Sequence, residues 1–276
     1  MLKIVKLGGA LITKKDRDRE ADIETIDRLV LEIKNALESN RNLKLIIVHG
    51  GGSFPHPVAK KYNVHLGFKT AGNNKEYKHR IRGFILTAKA AADIDEIIWS
   101  RFLKHDVQSL AIRTSSIGLA KNGVIIDMFT SVIDKCLENG ILPILYGDVI
   151  FDLDLGNSIA SGEKIIYFLS GYYKPDEVII ATDVDGVFDN DPKTHPDAKL
   201  ITDFFKFIQT KKVDLSNKMA YADVTGGMKH KTDILVKLAK QGIPSIIING
   251  YIKDRLYNAL IDSEVIGTYF RKSKLP

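Results

Sequence analysis

Lys6-Leu7-Gly8-Gly9-Ala10 sets a lysine inside an apolar run, directly before a leucine and two glycines. A lysine buried there needs an anionic partner, because an unpaired ammonium is costly away from water. Glycines let backbone N–H groups come close to a phosphate. By itself, Gly-Gly after a strand is an ordinary turn. His49-Gly50-Gly51-Gly52-Ser53-Phe54-Pro55-His56 offers a second nest of amides directly after the apolar run Leu45-Ile46-Ile47-Val48. Two such loops at one sheet edge suggest adjacent anion sites, one for donor phosphates and one for an acceptor. A third stretch, Ala181-Thr182-Asp183-Val184-Asp185-Gly186-Val187-Phe188 followed by Asp191-Pro192, ends an apolar run in acids. Those acids could orient lysines, hold magnesium through water or contact a ribose; they could equally stabilise a polar turn through Asx bonds. In the fourth, Asp223-Val224-Thr225-Gly226-Gly227-Met228-Lys229-His230-Lys231, glycines open a helix with lysines in its first turn. Lysine opposes the helix dipole there unless an anion is near.

These residues need elements to hold them. Strand-like runs at 3–7, 44–48, 110–112, 141–149, 177–181 and 245–248 alternate with helix-like runs at 23–37, 75–104, 129–138, 164–170 and 229–240. Ile26, Leu29, Val30, Ile33 and Leu37 share one face at helical spacing. Unbroken apolar runs such as Val178-Ile179-Ile180-Ala181 mark strands buried on both faces. The pattern predicts an α/β fold, a three-layer αβα sandwich around a mostly parallel sheet. In such sheets ligands bind beyond the carboxyl ends of the strands, where Gly8-Gly9, residues 49–52, Tyr146-Gly147-Asp148 and Thr182-Asp183 fall. Residues 156–162 read as the join between two lobes, an acceptor-binding lobe at 1–155 and an ATP-binding lobe at 156–276.

Composition narrows the function classes. The 276 residues are 45% hydrophobic and 27% charged, enough for a real core and too charged for a membrane-embedded chain. No stretch reaches the ~20 apolar residues of a membrane span, and the N-terminal run lacks the apolar core of a signal peptide. Cys136 is the only cysteine, which excludes an intrachain disulfide and a zinc cluster and points to a reducing cytoplasm. The formal charge of +6 comes from scattered lysines, which suits a phosphate-handling enzyme better than a nucleic-acid binder. The Walker A, protein-kinase and dinucleotide-binding glycine patterns are absent.

Together the motifs resemble the amino acid kinase superfamily, and within it archaeal-type isopentenyl phosphate kinases. The matching pieces run in order along nearly the whole chain: Lys6 to Gly9, Ile12-Thr13-Lys14-Lys15, the run from His49 to Pro57, Tyr146-Gly147-Asp148-Val149, the run from Ala181 to Phe188 with Asp191-Pro192, and the run from Asp223 to Lys231. The histidine after Gly-Gly-Gly-Ser-Phe is the most specific, separating isopentenyl and fosfomycin kinases from acetylglutamate, carbamate and uridylate kinases. The resemblance implies ATP with Mg2+ as cofactors, isopentenyl phosphate as acceptor, and a homodimer acting without nucleic acid or membrane. By position it implies that Lys6, Lys15 and Lys231 neutralise the transferring phosphoryl group. Gly8, Gly9 and Ala10 would lie along the donor phosphates, with Thr182, Asp183 and Gly227 around the nucleotide. Gly51, Gly52, His56 and Gly147 would hold the acceptor phosphate. Glu163 would be the lysine-organising acid, and no residue is expected to ligate a metal directly.

The chain departs from the family pattern at three places. Ala10 stands for the usual serine, Pro55 for a glycine, and Ser161-Gly162-Glu163-Lys164 for Ser-Gly-Asp-Asp. The chemistry is consistent with a monophosphate acceptor: with a second pKa of about 6 it is largely dianionic at neutral pH and needs no general base. A fosfomycin-type kinase of another phosphate or phosphonate, or a nucleotide-binding regulatory protein of the same fold, is the alternative. For a prenyl tail, the helix around Phe84, Ile85, Ala88 and Ala92 is the expected apolar wall. His49, at a strand end, reads as structural.

Overall fold

The computed structural model describes residues 1–14, 17–190, 192, 194–211 and 226–271. In chain order the elements are β1 (Leu2–Leu7), α1 (Gly9–Ile12), α2 (Ile23–Ser39), β2 (Lys44–His49), α3 (Pro55–Lys61), α4 (Asn74–Lys104), β3 (Ser109–Ala111) and α5 (Thr114–Ile117). There follow β4 (Gly118–Lys121), β5 (Val124–Met128), α6 (Ser131–Glu138), β6 (Leu142–Tyr146), β7 (Asp148–Asp152), β8 (Gly156–Ala160), α7 (Gly162–Tyr173) and β9 (Glu177–Thr182). The last are α8 (Phe204–Lys211), α9 (Gly226–Lys240), β10 (Ser245–Asn249), α10 (Arg255–Leu260) and β11 (Gly267–Phe270). Two short 3₁₀ turns, Val64–Leu66 and Phe68–Thr70, link α3 to α4.

The main sheet has seven strands in the order β11-β10-β9-β1-β2-β6-β3. Every pairing is parallel except β10 with β11. Strand alternation sorts the side chains into two layers. Ile4, Val178, Ile180 and Ile247 pack on one face with Ile165, Ile166 and Leu169 of α7, Leu235 and Leu238 of α9 and Phe204 of α8. Val5, Ile179, Ile246 and Ile248 pack on the other with Ile26, Leu29 and Ile33 of α2, Ile94, Ile98 and Phe102 of α4 and Leu256 of α10. The sandwich expected from the apolar runs is therefore present.

Because β9, β1, β2 and β6 are neighbours and parallel, their carboxyl ends release four loops side by side. Backbone hydrogen bonds chain these loops together: Gly8 N–H to Ala181 O, Gly50 N–H to Leu7 O and Gly147 N–H to His49 O, each 2.9 Å.

Two expectations change here. Residues 156–162, read as the join between lobes, contain regular structure: Gly156–Ala160 is β8, paired antiparallel with β7 in a second sheet ordered β5-β4-β7-β8. The run at 141–149 is two strands, with Gly147 as the corner where the chain leaves the main sheet for the small one.

Candidate active site

Alternation along β1 puts Lys6 on the same face as Ile4, towards α7. Its Nζ donates to Glu163 Oε1 at 2.8 Å, and the residue is 4% exposed. Glu163 sits in the first turn of α7, behind the N-cap Ser161, where the helix dipole favours a carboxylate. A Cβ on Gly162 would lie 2.8 Å from Lys6 Cε, so only glycine lets the lysine cross the start of the helix. Burial alone would raise the Glu163 pKa. The adjacent Lys6 charge and that of Lys231 outweigh it and hold the carboxyl below its ordinary value.

The two glycine loops meet backbone to backbone. A Cβ on Gly9 would fall 2.5 Å from Gly52 N, and one on Gly50 would fall 2.6 Å from Gly9 N. Gly9 and Ala10 open α1, so their amides have no acceptor within the helix. Pro55 occupies the first turn of α3, where a missing N–H removes no helical bond. The proline's ring packs over Gly51, which has no room for a side chain.

Above this floor lies a cavity of about 520 Å³. It is lined by Lys6, Gly8, Gly9, Ala10, Gly51, His56, Gly147, Glu163, Thr182, Asp183 and Lys231. These residues come from stretches scattered over more than 200 positions of sequence, and the structure brings them to one cleft. His56 opens into the cleft, yet the packed walls disfavour its charged form. The nearby Glu163 only partly offsets this, and the imidazole pKa falls below its usual value. The ring is therefore neutral at physiological pH, with one N–H to donate. Thr182 is buried and its hydroxyl donates to Asp183 at 3.1 Å.

Comparisons with known proteins agree with this geometry. The Amino acid kinase family matches residues 1–249. An isopentenyl phosphate kinase of Methanothermobacter thermautotrophicus is 36% identical, the match covering 96% of this chain and 97% of that one. The chain belongs to the amino acid kinase family. An isopentenyl phosphate kinase of Methanocaldococcus jannaschii is 35% identical over 97% of this chain and 98% of its own. A crystal structure described as isopentenyl phosphate kinase superposes with a TM-score of 0.85 at 34% identity, covering 98% of this chain and 99% of that one.

Within this amino acid kinase cleft, not every expected residue lies at the wall. Gly52 does not line it: with φ +55° it turns back on Thr13, where a Cβ would lie 2.1 Å from the threonine Oγ1. Its part is to let the two loops touch. Gly227 lies in the first turn of α9, the helix that carries Lys231 to the cleft. Lys15, Asp191 and Asp223 lie outside the described residues. Asp185 pairs with Arg255 rather than with a lysine of the cleft. His49 is fully buried, stacked on Tyr146 and held by Asp95 at 3.1 Å, a structural role.

The apolar wall also differs in detail. Thr87, Ala59, Val149 and Ile159 line the cleft, with Phe84 and Ala88 packed in the same cluster as Ala59 and Val149. Ile85 is 58% exposed and Ala92 is not at the wall, because a helix presents only one stripe to its neighbours.

Asp148 was legible only as part of a strand end, yet it lines the cleft and is 3% exposed. Burial pushes its pKa up to about 6, against hydrogen bonds from Ser115 and Val149 N–H groups. A carboxyl with a raised native pKa stabilises the fold least above that value. Stability linked to it is full below the ordinary pKa of 3.8 and is lost as pH rises to about 6. Asp148→Asn removes this dependence. The unfolding free energy of the variant minus that of wild type should therefore climb by roughly 2 kcal/mol between pH 4 and pH 7. Denaturant melts across that range check it; a flat difference contradicts it.

Proposed function

We propose that this chain is an isopentenyl phosphate kinase, transferring the γ-phosphoryl group of ATP to isopentenyl phosphate to give ADP and isopentenyl diphosphate. The observation that carries the reading is the Lys6–Glu163 pair, set between two touching glycine loops in a cleft with His56 on one side and an apolar wall on the other. Full-length similarity to isopentenyl phosphate kinases supports the same acceptor. Membership of a kinase family implies ATP as donor.

Phosphoryl transfer asks the protein mainly for positioning and charge stabilisation. Lys6 and Lys231, with Lys15, neutralise the charge on the transferring group, while Glu163 holds Lys6 in line. The amides of Gly8, Gly9 and Ala10 face the donor phosphates, with Thr182, Asp183 and Gly227 beside the nucleotide in the C-terminal half. Gly51, Gly147 and His56 hold the acceptor phosphate in the N-terminal half. The dianionic acceptor attacks directly, so His56 serves as a hydrogen-bond donor and not as a base. The apolar wall of Ala59, Val149 and Ile159 receives the five-carbon tail.

Magnesium fits as a companion of the nucleotide. Among the described residues no group of three or more His, Cys, Asp or Glu could hold an ion alone. Mg2+ commonly binds through phosphates, water and one or two carboxylates, and Asp183, which lines the cleft, is the acid proposed to stand beside the donor. When bound it would offset charge on the β- and γ-phosphates. A homodimer is part of the proposal, to be read as twice the chain mass by light scattering. A cytoplasmic location is proposed from the lone buried Cys136, to be checked by cell fractionation.

Phosphorus NMR of ATP, Mg2+ and isopentenyl phosphate with the enzyme tests the reaction. A new diphosphate pair growing with ADP is expected; ADP with free inorganic phosphate alone would overturn the assignment. For the histidine, His56→Ala should raise the acceptor KM or lower turnover by about tenfold, the ~1.4 kcal/mol of one good hydrogen bond. Wild-type kinetics in that variant would remove His56 from the acceptor site.

A further inference from the structure

Lys164 stands in the first turn of α7, where the helix dipole opposes a cation. An acid at this position could accept hydrogen bonds but not donate them. The structure gives the ammonium two carbonyl partners instead: Gly123 O at 2.8 Å and Ile159 O at 3.0 Å. Gly123 belongs to the Asn122-Gly123 turn between β4 and β5, both residues having positive φ, 48° and 77°. Such a turn needs its backbone groups satisfied from outside. Asp152 accepts from Asn122 N–H at 3.0 Å and Gly123 N–H at 2.7 Å. The same turn is thus held by an anion at its amides and a cation at its carbonyl.

Ile159 faces Val149 across the β7–β8 hairpin, and both line the cleft beside Lys164. The lysine therefore joins the β4–β5 turn, the β8 edge and the start of the helix that carries Glu163. We propose that Lys164 is a positioning residue for the acceptor: it clamps the small sheet to α7 and so sets the width of the acceptor half of the cleft. The inference rests on the acceptor assignment above.

Steady-state kinetics of Lys164→Met, Lys164→Arg and Asp152→Asn test it, with isopentenyl phosphate and ATP varied in turn. Lys164→Met should raise the KM for isopentenyl phosphate about tenfold, the scale of a lost charge-assisted hydrogen bond. Its kcat and its KM for ATP should stay within about twofold, a split that general loosening would not produce. Lys164→Arg, which can still donate to two carbonyls, should recover most of the loss. Asp152→Asn, loosening the same turn from its amide side, should reproduce the rise even if the methionine variant folds poorly. An unchanged acceptor KM in both Lys164→Met and Asp152→Asn, or equal losses for both substrates, overturns the clamp. Amide hydrogen exchange at residues 122–124 gives a readout free of catalysis: faster exchange in Lys164→Met supports the clamp, and unchanged exchange overturns it. Wild-type enzyme inert towards isopentenyl phosphate would instead sink the acceptor assignment and leave exchange to judge the clamp.

Discussion

Lys6→Met should lower kcat by about a thousandfold, the scale seen when a charged group that stabilises a phosphoryl or oxyanion transition state is removed. Three features of the structure support so large an effect. The ammonium lies at the floor of the cleft, 4% exposed, where its field is weakly screened. It is fixed by Glu163 at 2.8 Å, so no ordering is needed at the moment of transfer. It lines the same cleft as Gly9 and Gly51 of the two touching glycine loops, proposed above to face the donor and the acceptor phosphates. In the proposed role the lysine acts on charge that develops in transfer, so kcat should fall far more than the KM for ATP rises. The variant also leaves Glu163 without its counter-charge, so thermal melting must accompany the kinetics. A folded Lys6→Met enzyme within tenfold of wild type would remove Lys6 from the chemistry.

Glu163→Gln should cost both activity and stability. The amide can still accept from Lys6 but carries no charge, leaving a buried ammonium uncompensated. Losing one partner of such a buried pair destabilises by about 3 kcal/mol, and misplacing the lysine should lower kcat by about a hundredfold. The effect has a pH signature. Glu163 has a native pKa held below its ordinary 4.5, so the stability it adds is present above 4.5 and is lost as pH falls through the lowered value. The gap between wild type and Glu163→Gln should therefore be widest at neutral pH and close on acidification below about 4.5. Glu163→Asp, which keeps the charge, should fall between the two. A gap that does not change with pH would mean that Glu163 acts by packing alone.

The parts of the site that were legible in sequence are those with local signals. Lys6 followed by Gly8-Gly9, the triple glycine leading to His56, and Gly226-Gly227 before Lys231 each announce a strand end or a helix start within a few residues. The Lys6–Glu163 contact was legible only through resemblance, since its partners are 157 positions apart. Most of the small sheet lies outside the strand-like runs of the sequence. β4 and β5 are short, and the Asn122-Gly123 turn between them is their local hairpin signal. Gly-Asn-Ser at the start of Gly156–Ala160 lacks the apolar alternation of a half-buried strand. It is a strand because tertiary contacts satisfy its polar groups: buried Asn157 donates to Val64 O at 2.9 Å and accepts from Phe68 N–H at 3.1 Å. Lys164 looked like a reversed charge inside an acidic motif. Its two carbonyl partners show that the charge is spent on the wall of the cleft, which no local reading could reveal.

The central claim is the acceptor, and ADP release tests it most directly. Purified enzyme with ATP and Mg2+ is offered isopentenyl, dimethylallyl and geranyl phosphates, fosfomycin, uridylate, carbamate and acetylglutamate in parallel. The account predicts the highest kcat/KM with isopentenyl phosphate, and no turnover above background with uridylate, carbamate or acetylglutamate. Preferred turnover of fosfomycin or any of those last three, or silence with isopentenyl phosphate while ATP still binds, would contradict it.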